Sequence, residues 1–379
     1  MCDSGALVID NGTGNCVAGF AGYDGPSTAV PSIVGHQKYE YFREFWGRDS
    51  FVGNDAQSKR GILNLHYPVK HGIVTNWNEM EQVWHHTFYN ELRVNPDEHP
   101  ILLTEAPLNP KNNRKMMTEI MFEKFSIPDL YVIHTAALPM LVHSCNTGST
   151  NAVIVDSGDG VTYACPMFEG FALTQGVTRV DFGGRDISDY LNQMLREERG
   201  YQFCTPQTQR EITRDMKEKL CYVSGNYDVE LQNDNVDVSA TYELPDGETI
   251  MIGAERFRCP EALFQPSLIG LSSSGIHEMV YESIQQCDPQ IQEALYSNIV
   301  LCGGTSMLPG IVDRLEREIR TLAPQNMAEH VKIFADPDRT NLTWKGGSMA
   351  ASLAGFPDIC ISKQEYDEVG SSIVHRKCF

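Results

Sequence analysis

Two stretches of the chain combine an aspartate with closely spaced glycines between apolar runs typical of β-strands. They are "ALVIDNGTGNCVAGF", residues 6–20, and "AVIVDSGDGVTYACP", residues 152–166. The glycines let the backbone turn tightly, and the N–H groups of such a turn can cradle a phosphate. The leading Asp10 or Asp156 can hold Mg²⁺ through water. The residue types therefore indicate binding of a phosphorylated ligand together with a divalent cation.

Either stretch alone also fits an ordinary hairpin in which Asn-Gly or Asp-Gly forms a type I′ turn. A third glycine turn changes the balance between the two interpretations. In "IVLCGGTSMLPGIVDRLEREI", residues 299–319, a strand runs into Gly303 and Gly304 and a helix follows. Two aspartate-led hairpins and this turn together favour a phosphate clamp.

Regular apolar spacing predicts helices between these turns. The apolar stripes are Met80, Val83, Trp84, Phe88 and Leu92; Ile212, Met216, Leu220 and Val223; and Ile311, Leu315, Ile319 and Leu322. Alternating strands and helices place the chain in the α/β class. The near-repeat of the two hairpins predicts two similar halves.

Composition narrows the classes of partner. The chain has 379 residues, with 30 Lys and Arg against 50 Asp and Glu, so its net charge of −20 argues against nucleic acid or an anionic membrane. The eleven cysteines are scattered singly, which indicates neither a disulfide framework nor a cysteine zinc site and favours a reducing compartment. The sequence also predicts neither a signal peptide nor a membrane span.

Eight motifs resemble those of the actin family, in order, from Val8 to Phe379. They are "DNGTG", "DSGDGVTY", "KEKLCYV", "ELPDG", "RFRCPEALFQPS", "CGGTSMLPG", "WKGGS" and "SKQEYDEVGSSIVHRKCF". The resemblance implies an α/β actin-like ATPase fold of two RNase H-like domains, each with an inserted subdomain, and a nucleotide cleft between them. It places the first domain at 1–142 with an insertion at about 34–70, and the second at 143–347 with an insertion at about 185–262. Residues 348–379 would return to the first domain.

The resemblance also implies a Mg-ATP or Mg-ADP site. Asp10 and Asp156 would face the metal. The phosphate loops would be Gly12, Thr13, Gly14 and Asn15 on one side and Asp156, Gly158, Asp159, Gly160 and Val161 on the other. The ribose and adenine would be bordered by Gly184, Lys217, Glu218, Gly304 and Met307. On their own, Lys217 and Glu218 indicate a solvated helix face, and the resemblance reverses that interpretation.

Several positions depart from the family pattern. Val17 replaces a lysine that reaches the phosphates in actins, which predicts weaker ATP binding. Thr135, next to His134, replaces the glutamine that positions the attacking water, and Tyr163 replaces a histidine of the proton relay. We therefore expect weakened ATP hydrolysis. His134 is a candidate to take over the role of the missing glutamine or histidine. Leu308 and Thr340 replace residues that flank the base.

Two surface segments also depart from the family. Segment 36–51 corresponds to the actin loop that inserts into the next filament subunit, and it is rich in aromatics: Tyr39, Tyr41, Phe42, Phe45, Trp46 and Phe51. These rings form either a buried strand pair or an exposed patch for a partner. About four extra residues in 142–151 predict a polar surface loop.

The sequence thus predicts an ATP-binding cytoskeletal protein of the cytoplasm or the cilium, either filament-forming or built into a larger assembly as an actin subunit. Expected partners are other actin or actin-like subunits, actin-binding proteins, and myosin or dynein-arm components. One alternative is a monomeric subunit of a ciliary dynein arm or a chromatin complex. Another, from the enzyme class, is a sugar-kinase-type phosphotransferase, which shares the two hairpins but not "RFRCPEALFQPS" or the C-terminal motif.

Overall fold

The computed structural model describes residues 5–38, 49–201, 206–232 and 238–378. The chain divides into two compact units. Unit 1 comprises Met1–Thr150, Glu169–Ala172 and Thr340–Phe379, and unit 2 comprises Asn151–Phe168 and Leu173–Arg339. The predicted domain boundaries after residues 142 and 347 stay predictions.

The described residues form mostly short strands and helices, in runs of either type along the chain. The strands are β1 (Leu7–Asn11), β2 (Asn15–Phe20), β3 (Thr28–Pro31), β4 (Val34–Gln37), β5 (Ser50–Val52), β6 (Leu63–His66), β7 (Val69–Lys70), β8 (Ile73–Val74), β9 (Ile101–Glu105), β10 (Asp129–His134), β11 (Ala152–Ser157), β12 (Thr162–Phe168), β13 (Phe171–Ala172), β14 (Thr178–Val180), β15 (Ala240–Glu243), β16 (Thr249–Ile252), β17 (Ile299–Cys302), β18 (Ile333–Ala335) and β19 (Ile361–Ser362). The α-helices are Gly53–Ser58, Trp77–His85, Lys111–Glu123, Ala137–Thr147, Gly184–Arg199, Pro206–Leu220, Tyr227–Gln232, Glu255–Glu261, Ile276–Gln285, Pro289–Tyr296, Ile311–Leu322, Leu342–Ala351, Phe356–Ile359, Lys363–Val369 and Val374–Lys377.

The main sheet of unit 1 has the strand order β19-β10-β9-β1-β2-β3. Strand β1 pairs antiparallel with β2 and parallel with β9, and β9 pairs parallel with β10. Because successive side chains of a strand point to opposite faces, β1 contributes to two cores. Leu7 and Ile9 pack in the core that holds Trp84, whereas Val8 packs in the core that holds Trp344.

The sheet of unit 2 repeats this arrangement around β11. Strand β11 pairs antiparallel with β12 and parallel with β17, β17 pairs parallel with β18, and β14 pairs with β12. The predicted α/β class and the two similar halves are therefore confirmed, and the two hairpins also share their register. Asp10 lies directly opposite Val17 in one hairpin, and Asp156 lies opposite Tyr163 in the other.

Each unit also carries a smaller sheet inside the predicted insertions. In unit 1 the three strands β5-β4-β6 enclose a separate apolar cluster of Ile33, Phe51, Ala56, Leu63 and Leu65. In unit 2 the strands β15 and β16 form a two-stranded sheet. Phe51 is thus buried, whereas the other five aromatics of segment 36–51 lie outside the described residues.

Three local expectations need correction. The helical stripe over residues 80–92 is an α-helix only to His85 and continues as a π-helix, His86–Leu92. After Gly303 comes a 3₁₀ turn, Gly304–Met307, and the helix begins only at Ile311. The loop expected at 142–151 is helical up to Thr147, where Gly148, with φ +77°, ends the helix.

Among the described residues, no helix has both the length and the apolar character that crossing a bilayer requires.

Replacing Gly346 by alanine should destabilise unit 1. A Cβ at this position would overlap the backbone carbonyl of Leu138 in the neighbouring helix, and a backbone cannot yield as a flexible side chain can. Overpacking of this kind costs about 1–3 kcal/mol. Urea denaturation of the Gly346→Ala variant should show a loss of this size.

Gly61→Ala is the matched control, because no heavy atom of the described residues lies within 4 Å of a Cβ placed there. It should unfold like the wild type. Equal stability of the two variants would contradict the close approach of the helices.

Candidate functional site

The first hairpin of unit 1 presents Asp10 at the carboxyl end of β1. Thr104, at the end of the parallel strand β9, donates a hydrogen bond of 2.6 Å from Oγ1 to Asp10 Oδ1. The same hydroxyl accepts a 3.0 Å hydrogen bond from the backbone N–H of Asn11. Burial raises the pKa of Asp10 above its ordinary value of 3.8, and the hydrogen bond from Thr104 opposes the rise. A carboxylate that is costly to ionise without a partner is suited to facing a cation.

The loop after Asp10 is held by one buried serine. The Ser32 hydroxyl donates to the carbonyl of Gly12 at 3.0 Å, and the Ser32 N–H donates to the carbonyl of Gly14 at 2.9 Å. Because the C=O and N–H of a trans peptide point in opposite directions, the next N–H groups, those of Thr13 and Asn15, are directed away from Ser32. The loop therefore presents backbone donors on its far side, as binding of an anion requires.

His134 ends the neighbouring parallel strand β10, and Thr135 follows it. The Thr135 N–H donates to the Glu105 carbonyl at 2.9 Å. The His134 ring lies between two charged groups: its Nε2 accepts from Arg114 Nη2 at 3.2 Å, and its Nδ1 is 3.5 Å from Glu105 Oε1. Burial lowers the pKa of His134. The structure thus places His134 with the Glu105–Arg114 pair, whereas the donor to Asp10 is Thr104.

The hairpin of unit 2 presents Asp156 at the carboxyl end of β11. The buried Tyr163 hydroxyl donates to Asp156 Oδ2 at 3.1 Å across the hairpin. Gly303, at the end of the parallel strand β17, has φ +89°, and a Cβ there would overlap both the Asp156 carboxylate and the backbone of Ser157. Only glycine satisfies both the backbone conformation and this close approach.

The loop after Asp156 is held by the backbone that opens the helix Gly184–Arg199. The Gly158 carbonyl accepts from the Gly184 N–H at 3.0 Å, and the Asp159 carbonyl accepts from the Arg185 N–H at 2.7 Å. By the same peptide geometry, the N–H groups of Asp159 and Gly160 are directed away from that helix. Unit 2 therefore presents two donors on the far side of its loop, as unit 1 does, although here the two are consecutive in sequence.

Behind this loop, Gly184 lies in a crowded polar contact. The Lys217 ammonium donates to the Gly184 carbonyl at 2.7 Å, and Thr305 Oγ1 donates to the Gly158 carbonyl at 2.7 Å. A Cβ at Gly184 would overlap the Thr305 hydroxyl and lie 2.9 Å from Lys217 Nζ. Burial lowers the pKa of Lys217. Unit 2 thus brings the phosphate loop, Gly184 and Lys217 together.

Other predicted residues of unit 2 lie on the surface or in the core. Glu218 is exposed and pairs with Arg214 at 3.1 Å. Met307 is exposed at the end of the 3₁₀ turn, and no heavy atom of the described residues lies within 4 Å of a Cβ built on Gly304. Leu308, which takes the place of a residue that flanks the base in actins, is buried in the core of unit 2.

A family model described as Actin matches residues 1–379, the whole chain. The chain belongs to the actin family. Members of this family generally bind ATP or ADP with a divalent metal, and they associate with other actin-like subunits or with actin-binding proteins. Membership supports nucleotide binding and a cytoskeletal role in general.

Sequence reasoning missed the residues that hold the actin-family loops in place. These are Ser32, Thr104, Arg185 and Thr305, together with the hydrogen bond from Tyr163 to Asp156. Thr305 follows the predicted glycine pair directly, and this was a usable signal. Ser32, Thr104 and Arg185 lie outside the hairpins that they contact, and their residue types carry no local pattern.

Replacing Thr104 by valine should destabilise the nucleotide-free protein by about 1.5–3 kcal/mol at about pH 7, because the ionised Asp10 loses its donor. The variant should raise the pKa of Asp10 further. An acid whose pKa is raised on folding costs stability while it is ionised, and the cost disappears as the pH falls toward the unfolded value. The difference from wild type, measured by urea denaturation, should therefore shrink as the pH is lowered from neutral toward the ordinary pKa of 3.8.

Thr118→Val is the control, because the buried Thr118 hydroxyl donates to the backbone carbonyl of Arg114 and to no carboxylate. Its loss of stability should not change with pH over this interval. A pH-independent loss in Thr104→Val would contradict the role given to Asp10.

Proposed function

We propose that this protein is an ATP-binding, actin-like cytoskeletal protein whose main task is to hold a nucleotide rather than to turn it over. One observation carries the proposal. In each unit, carbonyls of the loop after the aspartate accept hydrogen bonds from residues on one side of the loop. The N–H groups that follow those carbonyls are therefore directed to the other side. The repetition of this device in two loops of different sequence supports a phosphate ligand more strongly than a single hairpin would.

The residues present fit a magnesium nucleotide. Asp10 and Asp156 would face Mg²⁺ through water, and their carboxylates already lie at the ends of buried strands. The loop donors after them would bind the β- and γ-phosphates, with Lys217 and Gly184 beside the ribose or adenine. The bound nucleotide supplies a phosphoanhydride bond that water can cleave. Val17, opposite Asp10, supplies no ammonium, which supports a reduced affinity for ATP.

We further propose that hydrolysis is weak. The Tyr163 hydroxyl donates a hydrogen bond to Asp156. A phenol with an ordinary pKa of about 10 is a poor proton relay at neutral pH compared with an imidazole of about 6.5. A threonine hydroxyl at position 135 is too short to reach where a glutamine amide would hold water. Both changes affect the water rather than the phosphate loops.

Two modes of assembly agree with family membership: a filament of like subunits, or one actin-like subunit fixed in a larger complex such as a ciliary dynein arm or a chromatin complex. The net charge of −20 favours basic protein partners over nucleic acid in either mode. Ultracentrifugation with Mg-ATP and salt distinguishes the modes, because only a filament pellets.

Mg-ATP should stabilise the fold. A ligand that binds only the folded state at a hundredfold excess over its Kd adds about 2.7 kcal/mol, so chelation of Mg²⁺ and removal of nucleotide should lower the Tm. Gly304→Ala should leave the nucleotide-free Tm unchanged, because its Cβ meets no described atom, but it should reduce the stabilisation by Mg-ATP. A tenfold loss of affinity corresponds to about 1.4 kcal/mol.

Gly225→Ala is the control, since a Cβ there also meets no heavy atom of the described residues. The Tm of Gly225→Ala should equal that of the wild type both with and without Mg-ATP. A wild type that gains no stability from Mg-ATP, and that releases no nucleotide on denaturation, would contradict the proposed function. A normal response of Gly304→Ala would contradict only the place given to Gly304.

Phosphate release in a single turnover should speed up when Thr135→Gln and Tyr163→His are combined. Restoring one water-positioning or relay group should gain about 10²-fold, equivalent to about 2.7 kcal/mol of activation free energy. Tyr163→Phe is the control, because it removes the hydroxyl without adding a relay group, and it should not accelerate the reaction. A double variant no faster than wild type would count against weakened hydrolysis.

A further inference from the structure

Three side chains of unit 1 converge outside the phosphate loops. They are His36 on β4, His66 on β6 and Glu79 in the helix Trp77–His85. Glu79 Oε1 is 2.7 Å from His66 Nδ1 and 3.2 Å from His36 Nε2, and one ligand atom from each residue lies within 4.8 Å of the other two. The two imidazole rings meet edge to face, with their centroids 5.0 Å apart.

The backbone positions all three groups. In the antiparallel pair of β4 and β6, His36 lies opposite Asn64, two residues before His66, so both histidines are on the same face of the small sheet. Glu79 lies in the first turn of its helix, where its N–H is held at 3.3 Å by the capping side chain of Asn76. None of the three ligands depends on a loop for its position.

The carboxylate of this cluster is buried, which distinguishes the cluster from an ion pair on the surface. The Glu79 side chain is only 8% exposed, whereas those of His36 and His66 are 36% and 51% exposed. A buried carboxylate needs a compensating positive charge, and two imidazoles supply one only when protonated or when they share a cation with it. The exposed sides of the rings leave an approach from solvent.

We propose that His36, His66 and Glu79 bind a divalent transition-metal ion, and that the ion is Zn²⁺. Two imidazole nitrogens and one carboxylate oxygen are borderline ligands that suit zinc better than magnesium or calcium. Ligand atoms around a tetrahedral zinc lie about 3.3 Å apart, close to the 3.2 Å between His36 Nε2 and Glu79 Oε1. The 2.7 Å between His66 Nδ1 and Glu79 Oε1 is a hydrogen-bond distance and would lengthen when the ion binds. Three protein ligands leave the fourth position to water.

The bound ion would join the β5-β4-β6 sheet to the helix Trp77–His85 within unit 1. The site is separate from the magnesium carboxylates Asp10 and Asp156 in both residues and ligand chemistry. Excess Mg²⁺ therefore should not compete for it. Without a metal, the same atoms form hydrogen bonds from the imidazoles to the carboxylate, and this is the competing explanation of the cluster.

Calorimetric titration of the full chain with ZnCl₂, in excess Mg²⁺ and after removal of bound metals by a chelator, tests the site. The wild type should bind one Zn²⁺ per chain, and His66→Gln should weaken that binding by about tenfold or more. His330→Gln is the matched control, because His330 is an exposed histidine 3.9 Å from one glutamate, and it should bind like wild type.

Zinc-edge X-ray absorption on the wild type needs no variant to fold, and it should show imidazole and oxygen ligands. The absence of stoichiometric binding would overturn the proposal, as would thiolate ligation from the cysteines. A folded His66→Gln variant with wild-type affinity would overturn it as well.

Discussion

The planarity of the peptide bond is the constraint on which the rest of the site depends. Because each C=O fixes the direction of the following N–H, a residue that binds carbonyls from behind a loop also directs the donors in front of it. Ser32 does this in unit 1, and the opening of the helix Gly184–Arg199 does it in unit 2. No side chain needs to reach the ligand for this part of recognition, which explains why short glycine loops suffice.

In each hairpin, the residue opposite the aspartate and the loop that presents N–H donors are different parts of the structure. Val17 and Tyr163 occupy equivalent positions, each directly across from the aspartate of its hairpin, and both depart from the actin pattern. Neither belongs to the loop whose N–H groups are directed outward. A substitution at either position therefore changes the side chain opposite the aspartate. It does not change the orientation of the loop N–H groups.

Local sequence patterns predicted the α/β class, the two hairpins and the glycine turn, because a strand, a tight turn and the returning strand are set by neighbouring residues. The same patterns did not predict contacts between residues that are distant in sequence. Nothing near Asp10 indicates Thr104, and nothing near position 36 indicates His66 or Glu79. His134 shows a further limit, since its place in the sequence beside Thr135 gave no sign that its ring would lie between Glu105 and Arg114. Helix boundaries were also inexact, as the π-helical continuation after His85 shows, because apolar spacing does not distinguish closely related helix types.

The division of the chain has a consequence for synthesis on the ribosome. Unit 1 contains the first 150 residues, yet its edge strand β19 pairs with β10, and the indole of Trp344 donates to the carbonyl of Val8 at 3.1 Å. The first unit to emerge therefore cannot complete its sheet or its second core until the last forty or so residues follow. Unit 2, which is nearly continuous in sequence, can close earlier. The nascent N-terminal half must wait with apolar surface exposed, and this is the interval in which a chaperone is most needed.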